Sequence, residues 1–260
     1  LRETLIRRLP PQTRSEVERL ESLDEVMAAL ARLHPSYGTV ILRTRSAEDA
    51  LASAVARGAR QYVIVGAGMD SFALRRPPFA KDVAVFEVDH PASQQLKRQR
   101  LNECGVSPPD GVHYVAADLS AEGLDQALER SPFDPKEKAF FSWLGVTAYL
   151  PREANLKTLQ AIASCGAPES ELVFTYIDQS DFDAPADEER RRARDLVASL
   201  GEPWLSGFYP SQLADDLRSV GLTLIEDLGR DELQMRYCAG REDRLSASAV
   251  DHVVRARIAD

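Results

Sequence analysis

Three short segments of this sequence combine glycines or acids with preceding apolar runs. The first is Val63-Ile64-Val65-Gly66-Ala67-Gly68-Met69-Asp70-Ser71. A strand feeding Gly-x-Gly and then a helix brings backbone close to a nucleotide-like ligand at the carboxyl edge of a sheet. The glycines matter because a Cβ would hold the ligand off and forbid the tight turn. Glu87 and Asp89 lie at the end of the next run, where an acid can accept hydrogen bonds from both ribose hydroxyls. Asp118 follows a third run, within Ala117-Asp118-Leu119. It can accept from an adenine amino group while Leu119 packs on the ring. Singly, each acid reads as a helix cap or a solvated turn. In register after consecutive runs, they read as parts of one nucleoside site.

Two ligand classes suit that site, a dinucleotide and S-adenosylmethionine. The dinucleotide fingerprint asks for a third small residue three positions after the second glycine, and Ser71 stands there. Asp70 weighs more, because a carboxylate at the helix start would repel a pyrophosphate. S-adenosylmethionine carries no phosphate, and its ammonium and sulfonium tolerate an acid nearby. The residues therefore favour S-adenosylmethionine over NAD(P).

These segments need an alternating scaffold to hold them, and the sequence supplies it. Apolar runs of strand length occur at 61–66, 83–88, 112–116, 139–144 and 171–177. Pro91 and Pro151 open helices after the second and fourth. Near-continuous apolar strands alternating with helices imply a doubly wound, mostly parallel α/β sheet with right-handed crossovers. Residues 1–57 read as a helical segment. Leu20, Leu23, Met27, Leu30 and Leu33 form a stripe ended by His34-Pro35, and a second helix over 46–57 is closed by Gly58. A helix over 210–220, a strand over 222–226 and a last strand over 249–258 resume the pattern.

Residues 178–209 interrupt it. They hold acids, then the run Glu188-Glu189-Arg190-Arg191-Arg192, then Trp204, Leu205, Phe208 and Tyr209 near Gly201 and Gly207. A segment of this length is expected to form a lid that hinges at the two glycines and closes its aromatics over an acceptor.

Composition narrows the classes further. With 32 Lys and Arg against 41 Asp and Glu, the net charge is −9, so the overall field repels nucleic acid. No apolar run approaches the roughly 18–20 residues of a membrane span. Cys104, Cys165 and Cys238 are dispersed, without a CxxC, which argues against a disulfide scaffold or a zinc knuckle. The start at Leu1, without Met or an apolar leader, reads as a trimmed end, and a cytoplasmic protein is expected. The four histidines are scattered, and only His90 is expected near the ligand. The residues form no metal or nucleophile constellation.

Gly66 through Arg75, Val85-Phe86-Glu87-Val88-Asp89-His90-Pro91, Ala117-Asp118-Leu119 and Trp143-Leu144-Gly145-Val146-Thr147-Ala148-Tyr149-Leu150-Pro151 together resemble the leucine carboxyl methyltransferase-like family. These are class I, Rossmann-like enzymes that use S-adenosylmethionine. The resemblance spans about residue 40 onward. It implies that Arg43, in Arg43-Thr44-Arg45, meets the cofactor carboxylate, and that Gly66, Ala67 and Gly68 meet the methionyl part. Asp89, with Glu87 as neighbour, would take the ribose, and Asp118 with Leu119 the adenine. Many members place Glu-Gly where this chain has Leu144-Gly145, and that acid meets the cofactor's ammonium. Leucine cannot do so, which leaves a backbone carbonyl of 142–144, a water, or Asp70. The activity implied is O-methylation of a carboxyl or hydroxyl group on a small molecule or peptide. An NAD(P) oxidoreductase and a non-catalytic S-adenosylmethionine-binding protein are the alternatives. Tyr149, Tyr176, Asp178 and Tyr209 are the candidates for a base, should a hydroxyl acceptor need one.

Overall fold

A computed structural model describes Ser15, Arg19 and residues 37–259 apart from 120, 185–186, 200–202 and 244. The stripe expected over 1–35 and the hinge expected at Gly201 lie outside the described residues. The helix expected from residue 46 begins earlier, as α1 (Tyr37–Ala56), so Arg43 and Arg45 are helical.

Five parallel strands follow: β1 (Gln61–Val65), β2 (Ala84–Asp89), β3 (Val112–Ala116), β4 (Ala139–Trp143) and β5 (Glu171–Ile177). Between them run α2 (Phe72–Arg75), α3 (Pro91–Glu103), α4 (Leu124–Glu129) and α5 (Arg152–Cys165). After β5 come α6 (Gln179–Asp183), α7 (Glu188–Ser199), α8 (Leu213–Ser219), β6 (Leu222–Leu228), α9 (Arg230–Leu233) and β7 (Asp251–Ile258). The sheet order is β3-β2-β1-β4-β5-β7-β6, with β7 antiparallel to both neighbours. Strand order reverses between β1 and β4, and such a switch point opens a crevice at the carboxyl ends of the strands.

The apolar runs are legible because both faces of the sheet are covered. Val63 and Val65 pack with Leu159 and Ile162 of α5 and Leu128 of α4 on one face. Tyr62 and Ile64 pack with Leu42, Ala47 and Leu51 of α1 on the other. Every residue of β1, β4 and β5 is buried.

The 178–209 segment departs from a simple lid. It contains two helices, α6 and α7, and its return stretch is fixed to the body. Phe208 is fully buried among Phe174 and Tyr176. Its N–H donates to the Ile177 carbonyl at 3.2 Å, and its carbonyl accepts from Gln179 N–H at 2.9 Å. Ser206 Oγ donates to the Leu150 carbonyl at 2.7 Å and accepts from Asn155 Nδ2 at 3.1 Å. Gly207 is therefore a point of close approach, and the hinge expectation there is corrected: a Cβ would run into the Ile177 carbonyl oxygen. Phe208 belongs to the core and cannot serve as a mobile apolar face. Trp204, half-buried against Phe182, and the exposed Leu205 remain outside that core.

Gly207→Ala should accordingly lower stability by about 1–3 kcal/mol, the usual cost of forcing extra volume into packed structure. Urea denaturation measures it. An unchanged midpoint would return Gly207 to the role of a hinge.

Candidate active site

The crevice at the switch point begins where β1 ends. Gly66 N–H and Ala67 N–H both donate to the Val88 carbonyl, at 2.9 and 3.2 Å, which stitches the turn to β2. Gly66 lies at φ +69°, and a Cβ there would press on Val146 at 2.9 Å. The position requires glycine twice over, for conformation and for space. Gly68 N–H then donates to Asp89 Oδ2 at 2.5 Å, while Asp89 Oδ1 accepts from His90 N–H at 2.7 Å. Each carboxylate oxygen keeps a further lone pair for a ligand hydroxyl. His90 caps α3, its Nδ1 accepting from Ala92 N–H at 3.2 Å, and Pro91 follows at the first helical position.

Above this floor is a cavity of about 370 Å³. Gly66, Asp89, His90, Ala117, Leu119 and Trp143 line it, together with Val146, Leu150, Lys157 and Thr158. Leu119 also packs on the core beneath. Asp118 lies beside it, half-buried, its carbonyl accepting from Ala121 and Glu122 N–H at 2.9 and 3.0 Å. The volume falls within the usual range for a small-ligand site.

A smaller chamber of about 100 Å³ adjoins it across Val146. Arg43, Gly145, Tyr149, Trp204 and Asp251 line it, with Thr39 and Thr175. The Arg43 guanidinium lies against Gly145, which has φ +68°; a Cβ there would strike it. Burial draws the Arg43 pKa down, and the charge of Asp251, then Tyr149 and Asp70, pulls it back in part. It remains cationic. Loop 145–150, between the chambers, is tied to β5: Gly145 N–H donates to Thr175 Oγ1 at 2.8 Å, and Thr147 Oγ1 donates to the Thr175 carbonyl at 2.5 Å.

Three residues singled out from the sequence sit elsewhere. Glu87 shares a sheet face with Asp89, two residues on, but it is buried and bound by Lys97 Nζ at 2.6 Å. Burial pushes its pKa up, while Lys97 opposes the shift. The expectation that Glu87 stands open to the ribose is corrected: it anchors α3 to β2 below the floor. Asp70 turns back on its own helix, Oδ1 accepting from Phe72 N–H at 2.6 Å. Leu144 is half-buried and packs into the apolar cluster shared with α1. It lines neither chamber.

Three of the four candidate bases are committed to other partners. Tyr176 Oη donates to Asp227 Oδ2 at 2.7 Å and its ring stacks on His252 at 4.7 Å. Burial, then Asp227, pushes its pKa well above the ordinary value. Asp178 caps α6 through Ser180 N–H at 2.9 Å. Tyr209 Oη donates to Asp183 at 2.5 Å. Tyr149, partly exposed, lines the smaller chamber, and so does Tyr176. Sequence reasoning missed Asp251, Thr39 and Lys157, which come from elements distant in the chain. Among the described residues, no group of three or more His, Cys, Asp or Glu could hold a metal, and no helix is long and apolar enough to cross a membrane.

Comparison with known proteins gives a consistent picture. The family described as leucine carboxyl methyltransferase matches residues 3–163. A Bacillus subtilis protein named as an S-adenosyl-L-methionine-dependent methyltransferase, YktD, is 35% identical over 219 residues, covering 84% of this chain and 72% of that one. A Mycobacterium tuberculosis protein of the same description is 32% identical over 171 residues, 65% of this chain and 53% of its own. The chain thus spans about half the length of that mycobacterial relative. Among solved structures, a methyltransferase from Thermobifida fusca superposes with TM-score 0.63 at 15% identity, covering 90% of this chain and 87% of that one. A Streptomyces avermitilis duf574 family protein gives 0.59 at 17% identity, covering 90% of each. These two establish likeness of fold.

The His252 cluster generates a pH prediction. Burial presses its pKa down, but the hydrogen bond and charge of Asp227, together with the charges of Asp178 and Asp251, leave it above 6.5. Above the unfolded value of 6.5 the native state holds a proton that the unfolded chain releases, so stability falls as pH rises. The contribution is full below 6.5 and is lost as pH passes through the raised folded-state value. Denaturation midpoints should decline over that window, and Asp227→Asn should flatten the decline. A decline of the same slope in the variant would assign it to other groups.

Proposed function

Because the chain belongs to the leucine carboxyl methyltransferase family of S-adenosylmethionine-dependent methyltransferases, we propose that it methylates an oxygen, a carboxylate or a hydroxyl, on a small molecule or peptide. The larger chamber suits the cofactor's nucleoside. Asp89 is fixed by two backbone N–H groups with acceptor capacity to spare, as vicinal ribose hydroxyls require. The Cβ-free turn at Gly66 gives close approach, and Leu119 offers an apolar surface to a base. Arg43 at the smaller chamber can clamp the methionyl carboxylate through two parallel N–H donors. When bound, S-adenosylmethionine supplies a methyl group already activated by its sulfonium.

The protein's share of the work is then to hold an acceptor oxygen in line with that methyl and to exclude water. Orientation of this kind is worth up to about 7–11 kcal/mol in favourable cases. The observation that favours a carboxylate acceptor is the engagement of the candidate bases Tyr176, Asp178 and Tyr209 by structural partners. A carboxylate needs no base, so it suits this site better than a hydroxyl. Helix α6, whose Phe182 meets the smaller chamber's Trp204, would flank the acceptor's entry.

Turnover of methyl-labelled S-adenosylmethionine with a panel of carboxylic acids and phenols tests the proposal. Base-labile methyl esters are the expected product. Product only on nitrogen or carbon would overturn the oxygen assignment, and cofactor binding without turnover on any acceptor would favour a non-catalytic binder.

Two substitutions test the binding roles. Asp89→Ala should weaken S-adenosylhomocysteine binding by about 10- to 100-fold, the loss expected for charge-assisted hydrogen bonds. Arg43→Lys should weaken it more than Arg45→Lys, since Arg45 is exposed and paired with Asp49 at 3.0 Å. Equal effects at 43 and 45, read by calorimetry, would displace Arg43 from the cofactor.

A further inference from the structure

We infer that the smaller chamber is a site for an α-amino-acid zwitterion, in which Asp251 of β7 receives the ammonium group and Arg43 the carboxylate. The inference rests on the reading of Arg43 just proposed and extends it to a residue far along the chain. Among the described residues lining this chamber, Arg43 is the sole cation and Asp251 the sole carboxylate. Both are half-buried, and the charge of Asp251 is the strongest one acting on Arg43. Yet no ion pair joins them. Each is held in place by something else.

Asp251 Oδ2 accepts from Thr39 Oγ1 at 2.7 Å, which ties the start of β7 to the first turn of α1. Arg43 stands one turn further along α1, its guanidinium laid against Gly145. Thr39 and Arg43 are four residues apart and so share a helix face. Opposite charges that face a common, partly desolvated space without meeting are best satisfied by a ligand carrying both signs. The chamber's volume of about 100 Å³ is below the usual range for a whole ligand, so it takes the end of one.

The surrounding acids leave this role to Asp251. Leu144, where the family resemblance places an acid, turns into the cluster packed on α1. Asp70, which turns Oδ1 to the start of α2, and Glu87, bound by Lys97, line neither chamber. Asp251 keeps Oδ1 and the second lone pair of Oδ2 for a donor. A carboxylate borne on the antiparallel strand thus does what position 144 cannot.

An α-amino-acid group can come from the methionyl end of the cofactor or from an amino-acid acceptor, and calorimetry separates the two. Asp251→Asn keeps the shape and removes the charge. If the cofactor is the source, the variant binds S-adenosylhomocysteine about 10- to 100-fold more weakly. Its affinity for 5′-methylthioadenosine, which lacks the amino-acid end, stays at the wild-type value. If the acceptor is the source, both nucleosides bind as before, and free leucine loses affinity for the protein saturated with S-adenosylhomocysteine. Wild-type affinity in all three titrations, or an equal loss for both nucleosides, overturns the inference. A wild-type protein that binds neither nucleoside would instead overturn the cofactor reading on which it rests. Thr39→Val guards against a folding artefact, because it leaves the charge but frees the carboxylate. It should give a smaller loss with the same selectivity, and no selectivity in either variant would count against Asp251.

Discussion

The site is organised by a single carboxylate. Asp89 stands where β2 leaves the sheet, and its two oxygens hold the N–H of Gly68 from the neighbouring turn and the N–H of His90 from its own. Backbone donors at a strand end have lost their ladder partners and need others. By satisfying two of them, Asp89 closes the β1 turn, sets the entry of α3 and fixes its own orientation. The turn also passes Val146 of the 145–150 loop, and it can do so only if its first residue lacks a side chain, which is the condition Gly66 meets. Below it, the Glu87–Lys97 pair fastens α3 to the same strand. Removing one partner of such a pair leaves an uncompensated buried charge, so it locks the helix position more than it adds net stability.

The opposite wall depends on β5. Thr175 serves the 145–150 loop as an acceptor twice, its hydroxyl oxygen taking the Gly145 N–H and its carbonyl the Thr147 hydroxyl. Asn155, fully buried, donates to the Thr147 carbonyl at 2.9 Å and to Ser206. The loop between the chambers is thus bonded to a strand on one side and, through α5, to the 203–209 stretch on the other. A displacement of that stretch would be felt at Val146, which both chambers share.

Much of this was legible in the sequence where the physics is local. The central strands read as apolar runs because both of their faces are buried, and Asp89 reads as the acid that ends one of them. Glu87 was misread for a related reason. Period-two geometry puts it on the same face as Asp89, but one pleat deeper, under the helix rather than in the crevice. Lys97, its partner, is visible as a charge but not as a buried one. The lid expectation treated aromatic residues near glycines as mobile, whereas Phe208 is fixed by a bridge to Asp178. Helix α4 escaped notice because six residues carry too little periodicity. Asp251 was invisible for a different reason: its hydrogen-bond partner Thr39 lies 212 positions away.

The placing of β7 has a consequence for how the molecule is made. It lies between β5 and β6, both of which precede it in the chain. β6 is the outer strand and joins the sheet through β7, so until residues 251–258 are in place a gap stands beside β5, whose edge donors and acceptors lack ladder partners. That open edge could recruit a stray strand from another chain. Because Asp251 begins the strand that fills this gap, the event that seals the sheet also delivers the chamber's carboxylate. Closure of the fold and completion of the pocket are one step.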